Sequence, residues 1–448
     1  MGGERPAEHL VDHFVCIGAA TPLQPNANVT APAAHPSSTG AAISILLEQA
    51  WMTENLYSYP PSRPVPEGFA AALGAFCLPS GLRLVHGPAA SKQASARKMA
   101  PTAAPASAQV TAQPPPPLST SYACFVFTDD KYSRMYGHCL TTYTRVSPDT
   151  RMAAETAFPG RSSAPNSTLS TTAAAVNSSQ HQPSGTKCQS GLALPSESDA
   201  APAQPAPRSI GDVAAAAGID PSSLWSPLCL CILSSSHYPL AFKSALLALN
   251  SLASASVVAP LDVAVETILM HLVDHVPRPV AGGPVVRFAL HPALPALHVA
   301  CSSLEELPAT DYSVDTLLAT LKPRQLIKVI ALLLLEWQVV VVSADAELRF
   351  AACELLLLLL HPFEWAQAYL PTLPDGPLLM LLHAPFPFLV GLQPHQTAQL
   401  PRPTPARLAV LRLDSGELEG PHESLPELPR RDWAPLLAAL EAAQARMQ

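Results

Sequence analysis

Hydrophobic positions along this chain fall into separate blocks, and the period within a block predicts its structure. Asp12 to Gly18 reads as a strand and Ile43 to Leu56 as a helix. Ala123-Cys124-Phe125-Val126-Phe127-Thr128 is a β-rich run followed by the polar Asp129-Asp130-Lys131, and Arg134 to Tyr143 is again strand-like. That order predicts a hairpin with a loop of several residues. The first block is thus expected to be a small mixed α/β unit with antiparallel pairing.

Beyond residue 223 strands and helices alternate. Leu228 to Leu233 is a continuous apolar strand, Pro239 to Leu252 and Leu261 to His275 are helices, and Val285 to Leu290 is a strand. Pro323 suits a first helical turn, and Arg324 to Glu336 is apolar on nearly every side, as a buried helix would be. Val339 to Val342 puts four β-branched residues in a row, the pattern of a strand covered on both faces. Ser343 is the predicted N-cap of the next helix, with Asp345 and Glu347 in its first turn, where the helix dipole favours anions. That helix should run to Leu360 and stop before His361-Pro362. Ala366 to Leu370, Phe388 to Leu392 and Leu408 to Leu413 read as strands, and Trp433 to Gln444 as a terminal helix. Such alternation predicts a mainly parallel sheet with helices on both faces.

Two tracts interrupt the blocks. Residues 147–222 are rich in Ser, Thr, Ala and Pro with Phe158 as their one aromatic, too little apolar surface to offset the entropy of ordering, which predicts a disordered linker. Residues 88–119 hold no aromatic and end near Pro114-Pro115-Pro116-Pro117, which fits a surface insertion or a polyproline II segment for an SH3-like partner. The expected organisation is a lobe at 1–146 carrying that insert, the linker at 147–222, and an α/β lobe at 223–448. No internal repeat is evident.

Composition narrows the picture. Apolar residues make up 48% of the 448 and charged residues 13%, which excludes a wholly disordered, self-repelling chain. Leu326 to Val342, the greasiest stretch, is broken by Lys328, Glu336 and Gln338, short of the roughly 18 uninterrupted apolar residues of a membrane span. No apolar leader, myristoylation signal or prenylatable cysteine is written at the ends. Nine scattered cysteines suit a reducing compartment and buried, inert thiols, so the cytoplasm is the expected location. Net charge is −8, with no cluster of cations beyond Lys92, Arg97 and Lys98, so a nucleic-acid partner is not expected.

The search for catalytic chemistry returns little. Neither a Gly-rich phosphate fingerprint nor a GxSxG elbow follows any strand. His271 and His275 stand one helical turn apart around Asp274, a spacing that permits a shared metal but reads better as a polar helix end. Cys229 and Cys231 alternate along a strand and point the same way, as a thiol pair or, more simply, as two small core residues. The leucines from Leu355 to Leu360 are read as core. No metal site, cofactor or catalytic group is predicted.

Other residues carry a resemblance. Leu326 to Glu336, Val339 to Ser343, His361-Pro362-Phe363-Glu364-Trp365, Tyr369-Leu370-Pro371 and Ala384 to Gly391 resemble, in order and spacing, the core segment of the DENN-domain family. Leu10 to Val15, Tyr59-Pro60, Phe76-Cys77-Leu78-Pro79, Phe125 to Asp129 and Ser133 to Leu140 resemble its upstream segment. The resemblance implies a longin-like N-terminal mixed α/β lobe and a doubly wound, mainly parallel α/β C-terminal lobe. It implies guanine-nucleotide exchange on a Rab-type small GTPase in membrane trafficking, with peripheral attachment to vesicle or organelle membranes through partners. An exchange factor needs no acid, base or metal of its own, which agrees with the empty search.

Because ligands of open α/β sheets gather beyond the carboxyl ends of the strands, the turn after Val342, with Ser343, Asp345, Glu347 and Arg349, is one candidate GTPase-binding element. The first-lobe hairpin, with Tyr132, Arg134 and Tyr136, is the other. Relatives usually carry a basic pair after the position of Glu336, where this chain has Trp337-Gln338, and little sequence follows Leu425 to Pro429 for a helical downstream segment. These departures keep open a non-catalytic adaptor that binds a GTPase or another protein. A GTPase-activating relative is a third reading, with Arg134 as its arginine.

Overall fold

A computed structural model of the chain describes residues 9–20, 24–26, 47, 49–86, 119–128, 133–145, 223–258, 263–303, 308, 310–420 and 429–447. The predicted linker at 147–222, Tyr132 and nearly all of the 88–119 tract lie outside these residues.

The first sheet is antiparallel. It contains β1 (His13–Ala19), β2 (Thr53–Tyr59), β3 (Val85–His86), β4 (Ser121–Thr128), β5 (Arg134–Arg145) and β6 (Leu224–Ser234). Strand order is β2-β1-β6-β5-β4, with β3 also pairing β6. The hairpin is as predicted, Thr128 pairing with Arg134. Of the helix expected over Ile43 to Leu56, residues 43–46 and 48 lie outside the described residues and Leu47 is helical, but the end is corrected: Thr53–Tyr59 is an edge strand, held by pairing with β1, and its Tyr57 ring meets Phe14 edge to face at 6.3 Å. Pairing with a neighbour overrides local propensity here. The strand read at Leu228 to Leu233 is present as β6. It lies at the centre of the first sheet between β1 and β5, with Cys139 opposite Cys231 and Phe14 opposite Ile232.

The period of two along these strands divides their side chains between two cores. Val15, Ile17, Phe125, Phe127 and Leu233 face α1 (Glu67–Cys77) through Leu73 and Phe76. Phe14, Tyr122, Cys124, Leu230 and Ile232 face the other way, onto Phe242 and Leu246 of α2 (Pro239–Val258).

After α2 come α3 (Val265–Met270), a π-helical turn at His271–His275, a hairpin of β7 (Val286–Phe288) and β8 (Leu297–Val299), α4 (Asp315–Thr320) and α5 (Pro323–Leu334). The predicted single helix over Leu261 to His275 is thus two pieces, and the Val285 to Leu290 strand pairs only with β8. The α5 helix is amphipathic rather than buried all round: Leu326, Val329 and Leu332 are buried, whereas Arg324, Lys328 and Leu334 are exposed. The helix lies on the outside of the lobe, so its far side meets solvent.

The second sheet has the order β10-β11-β9-β12-β13, from β9 (Gln338–Val342), β10 (Ala368–Leu370), β11 (Phe388–Leu392), β12 (Leu408–Arg412) and β13 (Glu417–Glu419). Every pairing is parallel except β12 with β13. All five residues of β9 are buried, Val339 and Val341 on one face, Val340 and Val342 on the other, as four consecutive valines require. α6 (Ala346–Leu358) follows β9, and α7 (Arg430–Met447) covers α4 and α5, where Gln444 Nε2 donates to the carbonyls of Leu318 (2.7 Å) and Leu321 (3.1 Å).

The cluster that holds Phe14, Cys124 and Ile232 of the first sheet also holds Val339, Leu389 and Leu411 of the second. One hydrophobic core therefore runs through both lobes, with α6 touching strands of both sheets, and neither lobe carries an independent interior on that side.

Candidate functional site

The turn after β9 is built from the ends of two neighbouring parallel strands. Its register, Arg412 beside Val342, brings Asp414 next to the turn. Ser343 Oγ donates to Asp414 Oδ1 at 2.7 Å and accepts from the Asp345 amide at 3.1 Å, while the Ala344 amide donates to Asp414 Oδ2 at 3.0 Å. Asp345, not Ser343, is the N-cap of α6: its Oδ1 accepts from the amides of Glu347 (2.9 Å) and Leu348 (3.1 Å). The cap lies two residues beyond the predicted one, because the Ser343 oxygen accepts from the Asp345 amide ahead of the helix rather than from the first-turn amides. The Arg349 guanidinium donates to the Ser343 carbonyl at 2.7 Å, and its burial pulls the pKa below the ordinary value.

Ser343 is 0% and Arg349 1% exposed, so these two side chains, expected from sequence as contacts, are enclosed in the free chain. They hold the turn. Asp345 and Asp414 are exposed and Glu347 is partly so, leaving three carboxylates on the rim at the carboxyl ends of β9 and β12. Lys243 of α2 answers one of them, its Nζ lying 2.7 Å from Glu347 Oε2.

Arg134 and Tyr136 lie elsewhere, at the seam between the sheets. Arg134 Nη2 donates to the Trp365 carbonyl at 3.3 Å, and its guanidinium lies over the Tyr369 ring of β10. Tyr369 Oη donates to Glu354 Oε1 of α6 at 2.5 Å. Burial opposes the Arg134 charge, and Tyr136, Glu354 and Tyr369 outweigh it, holding its pKa above the usual value. Burial raises Glu354, against the Tyr369 hydrogen bond and Arg134. Behind Tyr136 sits His237, ring centroids 4.6 Å apart, and His237 stacks on His138 at 5.4 Å. Thus Arg134 is a contact between the sheets and Tyr136 packs on His237, while Tyr132 lies outside the described residues.

The remaining candidates resolve as follows. His271 and His275 are 6.2 Å apart between ring centroids, and Asp274 between them accepts from Tyr59 Oη at 2.6 Å, which ties the π-helical turn to β2. Trp337 and Gln338 are each 8% exposed, and Gln338 Nε2 donates to the carbonyls of Ala384 and Phe386, so that pair is interior and takes no charge from a partner surface. Lys243, Glu354 and Asp414 were missed from sequence. Asp414 lies 71 residues from Ser343, and only strand adjacency brings them together.

The geometry defines a two-lobed α/β protein in which a parallel sheet with an acidic rim is fused through one core to an antiparallel sheet. Its sequence matches the profile of the DENN (AEX-3) domain over residues 225–416 and of the uDENN domain over residues 53–142. The chain belongs to the DENN-domain family. It is 28% identical over 169 residues to the DENN domain and WD repeat-containing protein SCD1 of Arabidopsis thaliana, a stretch covering 38% of this chain and 14% of that protein. Over 78 residues it is 33% identical to DENN domain-containing protein 2A of Mus musculus and of Homo sapiens, covering 17% of this chain and 8% of each relative. The chain thus spans only a small part of the relatives it matches.

Proposed function

We propose that this protein is a guanine-nucleotide exchange factor for a Rab-type small GTPase, with a longin-like first lobe and a doubly wound second lobe cradling the GTPase at the vesicle or organelle membrane. The observation that carries this reading is that both DENN segments are present in order and share one core, so the two halves of a cradle stand in a fixed relation. Exchange requires no chemistry beyond linkage: a protein that binds the nucleotide-free GTPase more tightly than its GDP form weakens GDP binding by the same factor.

Asp345, Glu347 and Asp414 are the groups we place against the GTPase, since a carboxylate rim complements cationic side chains and steers encounter. Ser343 and Arg349 act behind them by fixing the turn. Arg134 is spent on Trp365 and Tyr369, which weighs against the GTPase-activating reading. No helix among the described residues is long and apolar enough to cross a membrane, consistent with attachment through partners.

The test is release of a fluorescent GDP analogue from a panel of purified Rab proteins, with this protein far below stoichiometry. Accelerated release from one or two Rabs is expected. Unchanged release across the panel, with the protein folded, overturns exchange. Stoichiometric Rab binding without faster release would identify an adaptor.

A further inference from the structure

Four cysteines gather in the core layer between the antiparallel sheet and α1, on the face of the sheet away from the parallel sheet. Cys77 is the last residue of α1, Cys139 lies on β5 directly opposite Cys231 on β6, and Cys229 precedes Cys231 by two, hence on the same face. The sulfurs of Cys77, Cys139 and Cys231 all lie within 4.8 Å of one another, and Cys77 Sγ and Cys139 Sγ are 3.7 Å apart.

We propose that this cluster is a structural site for a thiophilic d10 cation, zinc(II) or copper(I), bound by Cys77, Cys139 and Cys231 with Cys229 as the neighbouring fourth sulfur. A tetrahedron of thiolates at about 2.3 Å from zinc has sulfur–sulfur edges of about 3.8 Å, so Cys77 and Cys139 already stand at ligand separation. The set is all sulfur, which selects soft cations and excludes magnesium and calcium. Three elements distant in sequence supply the sulfurs, so a bound ion would tie α1 to β5 and β6.

Burial fixes how such an ion is acquired. Cys77, Cys139, Cys229 and Cys231 are each no more than 2% exposed. Each ligating thiol gives up one proton to solvent when the metal–sulfur bond forms, without any change of oxidation state, and the cation offsets part of the thiolate charge, two units for zinc(II) and one for copper(I). Loading therefore accompanies folding rather than following it.

The test is elemental analysis of the full chain, expressed with zinc and copper supplied and desalted by gel filtration. About one zinc or copper per chain is expected, falling roughly tenfold in Cys139→Ser and Cys231→Ser and unchanged in Cys301→Ser, whose thiol lies outside the cluster. Should the buried serines prevent folding, wild-type protein expressed with cobalt supplies the second measurement, a thiolate-to-cobalt charge-transfer absorption. Folded wild-type protein without metal or that absorption overturns the proposal, as does a mass deficit that marks a disulfide among these cysteines. The Rab assay is independent of either result.

Discussion

The Arg134 guanidinium carbon lies 5.1 Å from the centroid of the Tyr369 ring, with Arg134 on the first sheet and Tyr369 on the second. The same guanidinium donates to Trp365, and the Tyr369 hydroxyl is held by Glu354, so three elements meet on one cation. Arg134→Ala removes the cation and leaves Glu354 without it. A loss of about 1–3 kcal/mol is expected in urea unfolding, with Arg134→Lys recovering part of it because the point charge remains but the planar stack does not. If the residue were instead an arginine finger, stimulated GTP hydrolysis would fall while stability held.

Asp345 and Glu347 separate folding from binding in different proportions. Asp345→Ala removes two cap hydrogen bonds and should cost about 1 kcal/mol. Glu347→Gln breaks a partly exposed pair with Lys243 and should cost only about 0.2–1 kcal/mol, yet under the exchange reading it should slow GDP release several-fold. Thermal unfolding and exchange rates measured on the same two variants check this.

Arg349→Met should behave in the opposite way to Glu347→Gln. The guanidinium is buried and donates to Ser343, so the methionine keeps much of the volume while losing the hydrogen bond that pins the turn. A stability loss of roughly 1–3 kcal/mol is expected, measured by urea unfolding. An unchanged midpoint would show that the turn holds without it.

Stability should fall as the solution is acidified below about pH 6.5. Burial lowers the pKa of His237 to about 3 and that of His138 well below its usual value, the latter with a further contribution from His237. Between the folded and unfolded pKa values the unfolded chain binds more protons, so stability is full above about pH 6.5 and is lost as pH falls. The slope from each ring is up to about 1.4 kcal/mol per pH unit. Urea unfolding from pH 7 to pH 5 measures it, and His237→Phe should flatten the dependence.

Gly391→Ala tests the seam within the parallel sheet. A Cβ there would overlap the Pro371 carbonyl and crowd Arg349 Cδ at 3.1 Å, and backbone cannot swing aside as a side chain can. A loss of roughly 3 kcal/mol is expected in the same unfolding experiment.

The four valines of β9 announced a strand covered on both faces, and the helix after it could be read from the anionic residues in its first turn. Both readings rest on interactions within a few residues. The same local logic failed at Thr53–Tyr59, where an edge strand forms because β1 offers it a partner; at β6 it gave the strand but not its neighbours, which lie across the long 147–222 tract.

The candidate site divides along the same line. By itself the sequence determined the family, the period of the strands and the turn beyond Val342, because motif order and hydrophobic period are properties of the chain. Only the tertiary structure decided that Ser343 and Arg349 face inward, that Asp414 closes the turn, that Arg134 joins the sheets and that four cysteines share one layer. Those outcomes depend on which strands lie side by side, and strand adjacency is chosen by the burial of a whole core rather than by any one residue's neighbours in sequence.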